Sequence, residues 1–117
     1  MAVATLNATA SNLTLPEALI GALGGYKALT LSGALTLTDA YPSMLGLDPG
    51  GSARDVTLDA PVGQYRLIVN KADGAENLVI KNAAAATIAT ANQNDTVLLY
   101  GDPAGWAVVA VWTTALT

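Results

Sequence analysis

Apolar and polar residues alternate in the segment that follows residue 26. In KALTLSGALTLTD, the apolar positions are Leu29, Leu31, Leu35 and Leu37. Alternation with a period of two predicts half-buried β-strands, with a turn or bulge at Ser32-Gly33. The next segment, YPSMLGLDPGGSARD, is rich in turn-forming Pro and Gly, so it is predicted to be a loop. The apolar residues expected to tuck beneath this loop are Met44, Leu45 and Leu47.

Short apolar segments separated by turn residues fill the second half of the chain. The breaks are DAPVG, KADGAE, NQND and GDPAG. The predicted strands are Arg54–Leu58, Gln64–Asn70, Asn77–Lys81, Ala86–Thr90, Thr96–Tyr100 and Trp106–Trp112. The alanine run 83–86 is compatible with a helix, but the flanking Thr, Ile and Asn residues favour a strand. The pattern predicts a mainly β fold: a small antiparallel β-sandwich or barrel, jelly-roll-like in topology.

The N-terminal region has a different pattern. Residues 1–14 are small, polar and uncharged with isolated apolar positions, which predicts an extended arm, although a frayed chain end fits as well. A short helix is predicted over 15–23, because Thr14 and Glu17 have capping-box spacing and Gly24-Gly25 would end the helix. Residues 15–117 are therefore expected to form a single β-rich domain behind the arm.

Composition removes several classes of function. The chain has 117 residues, enough for one domain, and contains neither Cys nor His. Thiol chemistry, Ser-His-Asp triads and most zinc sites are thereby excluded. Charged residues make up only 12%, about half the usual share, while hydrophobic residues reach 52%. A free monomer usually carries more surface charge, so the chain is expected to have protein neighbours, with a compact monomer rich in surface Thr, Ser and Asn as the alternative.

The charge distribution argues against two kinds of partner. The net charge is −4, and the five cations are scattered along the chain instead of clustered, so no nucleic-acid groove is predicted. Mean hydropathy is +0.43, but no apolar run approaches the roughly 20 residues of a spanning helix, so no membrane partner is expected. The N-terminus lacks the basic and apolar regions of a Sec signal, so no such signal is predicted.

Candidate catalytic groups are sparse. Asp55 and Asp59 share a strand face, but paired catalytic carboxylates normally come from different elements, so a solvated strand edge is the preferred interpretation. No spacing matches a calcium loop or a phosphate loop. We therefore predict no enzyme activity, no catalytic residue, no metal site and no cofactor.

The two tryptophans carry the remaining candidate chemistry. Trp106 and Trp112 are an even number of residues apart, so they would lie on the same side of a regular strand. Side chains of this size usually anchor a core or a protein interface, and that interpretation is preferred to a carbohydrate platform.

Three stretches carry a resemblance to a known group of proteins. They are LTLTDAYPSMLGLDPGGSARDVTLDA, GQYRLIVNKADGAENLVIKN and DTVLLYGDPAGW. Together they resemble small structural domains in the virions of tailed bacteriophages, particularly capsid decoration (cement) proteins and related head or fibre modules. The shared pattern is a Pro/Gly loop, an Arg before a strand, a Gly-led strand ending in Asn, an Ala/Asp turn and a late Gly-Trp pair.

The resemblance implies a structural role. Such proteins commonly lie on the outer capsid surface, often as trimers, and bind adjacent subunits of the major capsid protein after the shell expands. The implied location is the virion surface, after synthesis in the host cytoplasm. The alternative is a tail-fibre or head-fibre domain that binds host-surface glycans. The residues expected at the protein interface are Leu6, Leu13, Leu15, Arg54 and Trp112.

Overall fold

The computed structural model describes two N-terminal strands and residues 25–113. The strands are β1 (Val3–Asn7), β2 (Asn12–Pro16), β3 (Tyr26–Thr30), β4 (Leu35–Thr36), β5 (Met44–Asp48), β6 (Arg54–Thr57), β7 (Gln64–Asn70), β8 (Leu78–Lys81), β9 (Thr87–Ala91), β10 (Thr96–Asp102) and β11 (Gly105–Trp112). Residues 25–113 contain no helix. The prediction of a mainly β fold is confirmed.

The strands of this part of the chain form two mixed sheets. One sheet has five strands in the order β11-β10-β7-β5-β3, and the other has four in the order β4-β6-β8-β9. From β3 to β8, each successive strand crosses to the other sheet, so the chain coils between the two. Strands of one sheet that follow each other along this coil are parallel, while β9, β10 and β11 add antiparallel pairs.

The prediction of antiparallel pairing is therefore wrong for four of the seven strand pairs in these two sheets. Jelly-roll topology requires antiparallel strands, so that part of the prediction is wrong as well. Neither of the two sheets closes into a barrel. The physical reason is that Pro and Gly show where the chain bends, but not whether the next strand returns beside the previous one. Here a strand of the opposite sheet serves as the crossover that parallel neighbours require.

A single hydrophobic core joins the two sheets. Its buried members are Leu31, Leu37, Leu45, Leu47, Val56, Leu58, Ile68, Leu78, Ile80, Ala91, Val97 and Leu99. The five-stranded sheet also has buried residues that alternate with this set and lie on its other face: Met44, Leu67 and Val69. The strands β5 and β7 are consequently buried on both faces.

All six predicted strands of the second half are present, with β7 matching its predicted bounds and the others beginning and ending within two residues of theirs. The predicted loop over 41–55 is wrong in its centre, because β5 runs through it between β3 and β7. The sequence MLGLD does not alternate, as expected of a strand buried on both faces in a parallel arrangement. Gly46 contributes to this lack of alternation. A side chain is disfavoured at this position, because a Cβ would overlap the Tyr26 hydroxyl, which lies over the strand.

The predicted N-terminal arm contains two strands that pair with each other. β1 and β2 form an antiparallel two-stranded sheet, in which Leu6 is the Cα partner of Leu13 and Leu15 is the partner of Ala4. The helix predicted over 15–23 overlaps the end of β2, and the rest of it lies outside the described residues.

Candidate protein-interaction surface

The strand β11 is the longest strand of the domain and lies at the edge of the five-stranded sheet. It pairs with β10 on one side, and no strand of the described chain pairs with its other side. The register shifts once, so that Leu98 faces Ala110 while Leu99 faces Val108. Val109 is therefore the extra residue of a β-bulge near the middle of the strand.

Three valines of β11 are exposed to solvent. Val109 is 55% exposed, Val111 is 49% exposed and Val108 is 38% exposed. The sequence contains no charged residue after Asp102. Soluble proteins usually protect an edge strand with Lys, with Pro or by making it short, because an open backbone edge accepts strands from other chains. Apart from its bulge, β11 carries none of these protections.

The other sheet edges are better protected. β3 carries Lys27, and β4 has only two residues. β9 is uncharged but is five residues long and includes two exposed threonines. The edge of β11 is consequently the largest uncharged edge of the two sheets. This edge, with Val108, Val109 and Val111, is the candidate interaction surface.

The two tryptophans at the ends of β11 have different environments. The Trp106 indole N–H donates a 2.8 Å hydrogen bond to the carbonyl oxygen of Asp59, and the half-buried side chain packs against the core. A Cβ at Gly101, its strand partner, would come within 2.9 Å of the indole ring. Trp112 ends the strand, half-buried, as the Cα partner of Thr96. Trp106 thus contributes to the fold, while Trp112 lies on the candidate surface.

Arg54, another predicted interface residue, lies at the start of β6 and is half-buried. Its Nε donates a 2.8 Å hydrogen bond to the carbonyl oxygen of Pro49, and its backbone N–H donates to the carbonyl oxygen of Asn77. These bonds hold the loop before β6 within the domain. The predicted leucine anchors lie in β1 and β2, so the predicted interface residues do not form one described cluster.

The most heavily bonded charged side chain is Arg66, which is 4% exposed. Its Nη1 donates to the carbonyl oxygens of Tyr41 and Pro42, and its Nη2 donates to the carbonyl oxygen of Thr38. The same Nη2 lies 3.0 Å from Oδ2 of Asp59. Within the described residues, Oδ1 of Asp59 and Nε of Arg66 have no hydrogen-bond partner, so a single donor joins the two side chains. This network fixes the segment before β5 against β7.

The carboxylates do not converge on one site. Asp59 pairs with Arg66, whereas Asp55 pairs with Lys81 at 3.0 Å in an exposed ion pair. Among the described residues, no three acidic side chains are close enough together to hold a metal ion. A hollow of about 170 Å³ borders Asp59, but the carboxylate there is already bound by the guanidinium.

A second hollow lies beside the opposite edge of the five-stranded sheet and is bordered by Tyr26, Gly46, Asp48 and Lys71. Burial raises the pKa of the Tyr26 hydroxyl, because the ionised form loses hydration there. A tyrosine is already protonated at neutral pH, and the raised pKa makes its ionisation still less favourable, so this phenol is a poor base.

Sequence reasoning missed the three valines of β11. The segment GWAVVAVW is continuously apolar, which is typical of a central strand buried on both faces. The absence of charge after Asp102 was the available signal. It acquires meaning only once the strand is known to lie at a sheet edge.

No helix among the described residues is long and apolar enough to cross a membrane. Comparisons of the chain with protein-family models, with curated protein sequences and with solved structures gave no match.

Proposed function

We propose that this chain is a structural virion protein that binds the outer surface of an expanded phage capsid and stabilises contacts between major capsid protein subunits. The observation that carries the proposal is the edge of β11, which is uncharged and apolar and pairs with no further described strand, as expected of a chain that works by assembly. Such an edge is suited to strand addition by another protein chain. The resemblance to virion proteins is the reason for proposing a phage capsid as the partner.

The mechanism of stabilisation needs no chemical reaction. A protein that binds the expanded shell better than the unexpanded or broken shell shifts the equilibrium towards the expanded state. The shift depends only on the difference between the two affinities. Buried ion pairing at Arg66 and the shared core would make the domain a rigid body for this purpose.

We propose separate roles for the two ends of the chain. The N-terminal segment 1–15 would contact the capsid, with Leu6, Leu13 and Leu15 as apolar anchors. The domain behind it would be a sandwich of the two sheets and would assemble as a homo-oligomer. The resemblance implies a trimer.

Co-sedimentation with expanded, undecorated capsids tests the capsid contact. The purified chain should bind with a saturating, fixed ratio to capsid subunits, and bound particles should resist heat or chelation longer than bare ones. A variant with Leu6, Leu13 and Leu15 all changed to Ser should bind at least about a hundredfold more weakly, because each of the three apolar anchors contributes roughly 1 kcal/mol or more when buried.

The control changes neighbouring threonines, Thr5→Ser and Thr14→Ser, which leaves the leucines in place. This control should bind like the original chain. Absence of binding to capsids of the matching phage at micromolar concentrations would contradict the proposal. Saturable binding to a host glycan in its place would favour the fibre-domain alternative.

A further inference from the structure

We infer that β11 is a self-association edge, which pairs antiparallel with β11 of a second copy across a two-fold axis. The inference rests on the proposed homo-oligomer and names the strand through which two copies pair, so it predicts a dimer where the resemblance implies a trimer. The N-terminal segment would remain available to contact the capsid. Self-association can be measured on the isolated chain, so its failure is distinguishable from a failure to bind capsids.

The first argument is the state of the edge. β11 offers eight residues of backbone on a side to which no described strand is paired. Val109 and Val111 leave about half of their accessible surface in contact with water. Pairing would satisfy the open backbone groups and remove these apolar side chains from solvent, and both changes favour association.

The second argument is electrostatic. The chain carries a net charge of −4, so most surfaces of two copies repel each other weakly. The sequence from Pro103 to Thr117 contains no charged residue. In an antiparallel pair, the beginning of one β11 lies opposite the end of the other, so no like charges are brought face to face. A neutral edge on an acidic chain is suited to a second copy of itself.

The third argument is the choice among edges. An isologous contact needs one surface that is complementary to itself, and an antiparallel strand pair meets this condition for any strand. A head-to-tail contact would use β3, where Lys27 lies on the edge strand. The four-stranded sheet ends in β4, which has two residues, and β9, which has five. β11 therefore offers the longest uncharged self-complementary edge.

The pairing would have a structural consequence. The five-stranded sheet of each copy would continue into the other and give one sheet of ten strands. The hydrophobic core of each copy would pack against its own half of this sheet. The bulge at Val109 lies near the middle of β11, so the bulges of the two copies would meet close to the axis.

The test measures molar mass by light scattering during size-exclusion chromatography, over about 1 to 200 µM protein. The original chain should have the mass of two copies at the upper concentrations. Val109→Lys should weaken association by about a hundredfold or more, because like charges facing each other at an interface cost several kcal/mol. Val62→Lys is the matched control: Val62 is 73% exposed and lies outside β11, so this variant should remain dimeric.

A cross-linking variant reports the contact itself. The chain has no cysteine, so Val109→Cys introduces a single thiol near the proposed axis. Antiparallel partners have Cα atoms about 4.5 to 5.5 Å apart, a distance that a disulfide can span. Mild oxidation should give a disulfide-linked dimer, whereas Val62→Cys under the same conditions should stay largely uncrosslinked.

Three results would overturn the inference. One is a monomeric original chain at 200 µM. Another is a dimer that Val109→Lys leaves intact, since the contact would then lie elsewhere. The last is a trimer, because three copies cannot be related by one antiparallel β11 pair. A dimer that only Val109→Lys dissociates, together with the Val109→Cys cross-link, would support it.

Discussion

The interior strand β7 and the edge strand β11 belong to the same sheet, but β7 buries polar side chains whereas β11 exposes apolar ones. In β7, the polar side chains Arg66 and Asn70 are buried, and both are hydrogen-bonded to backbone carbonyls of neighbouring segments. In β11, apolar valines are exposed and one side of the backbone is open. The buried polar side chains of β7 have hydrogen-bond partners. The exposed valines of β11 lie on a strand whose outer edge pairs with no other described strand.

This difference separates folding from assembly. Buried polar groups are tolerated only when they are satisfied, and here they join loops to the sheet from within. Asn70 illustrates the point: its Nδ2 donates to the carbonyl oxygens of Glu76 and Ala91, and its Oδ1 accepts from the Ala72 N–H. Among the described residues, Oδ1 of Asp59 and Nε of Arg66 are the buried side-chain atoms without a partner. The backbone edge of β11, which pairs with no further described strand, lies on the outside, where another chain can reach it.

The largest expected effect comes from breaking the interior at Arg66. Arg66→Met should lower the free energy of unfolding by about 3–5 kcal/mol, because it leaves the largely buried Asp59 carboxylate without its cation and removes the donors to three carbonyls. Urea unfolding followed by tryptophan fluorescence measures this loss.

The matched control for this change is Lys81→Met. It removes the same charge from the exposed pair with Asp55, and it should cost less than about 1 kcal/mol. Equal losses for the two variants would contradict the importance assigned to the buried network.

A smaller loss is expected at Asn70. Asn70→Ala should lower the free energy of unfolding by about 2–3 kcal/mol, because buried backbone groups of Ala72, Glu76 and Ala91 lose their partner. Thermal unfolding measures the change. Asn92→Ala alters an exposed asparagine and should change the free energy by less than about 0.5 kcal/mol. An Asn70 variant as stable as this control would show that water replaces the lost bonds.

The smallest effect on folding is expected at the edge. Val109→Lys should change the unfolding free energy of the monomer by no more than about 0.5 kcal/mol, because the side chain is mostly in water. Urea unfolding at a protein concentration below association measures it. A loss comparable to that of Asn70→Ala would mean that Val109 supports the fold, and the contrast between interior and edge would fail.

Several elements were predictable from local pattern. QYRLIVN was predicted as a strand with its observed bounds, and Leu31 and Leu37 were predicted and found on the buried side. β5 was missed because it is short, does not alternate and is bordered by Pro and Gly. The role of Arg66 was also unpredictable, since its partners lie 7 to 28 residues away in the chain. Long-range partners leave no periodic signal.

The sequence by itself determined the class of the fold, the position of most strands and the absence of Cys and His chemistry. These properties depend on composition and on patterns a few residues long. Tertiary structure decided that the sheets are mixed, that β5 lies inside and that β11 lies at an edge. Strand order depends on which segments meet across long separations, and the apolar run of β11 has the same local appearance in either place. Only its neighbours decide whether such a strand is core or interface.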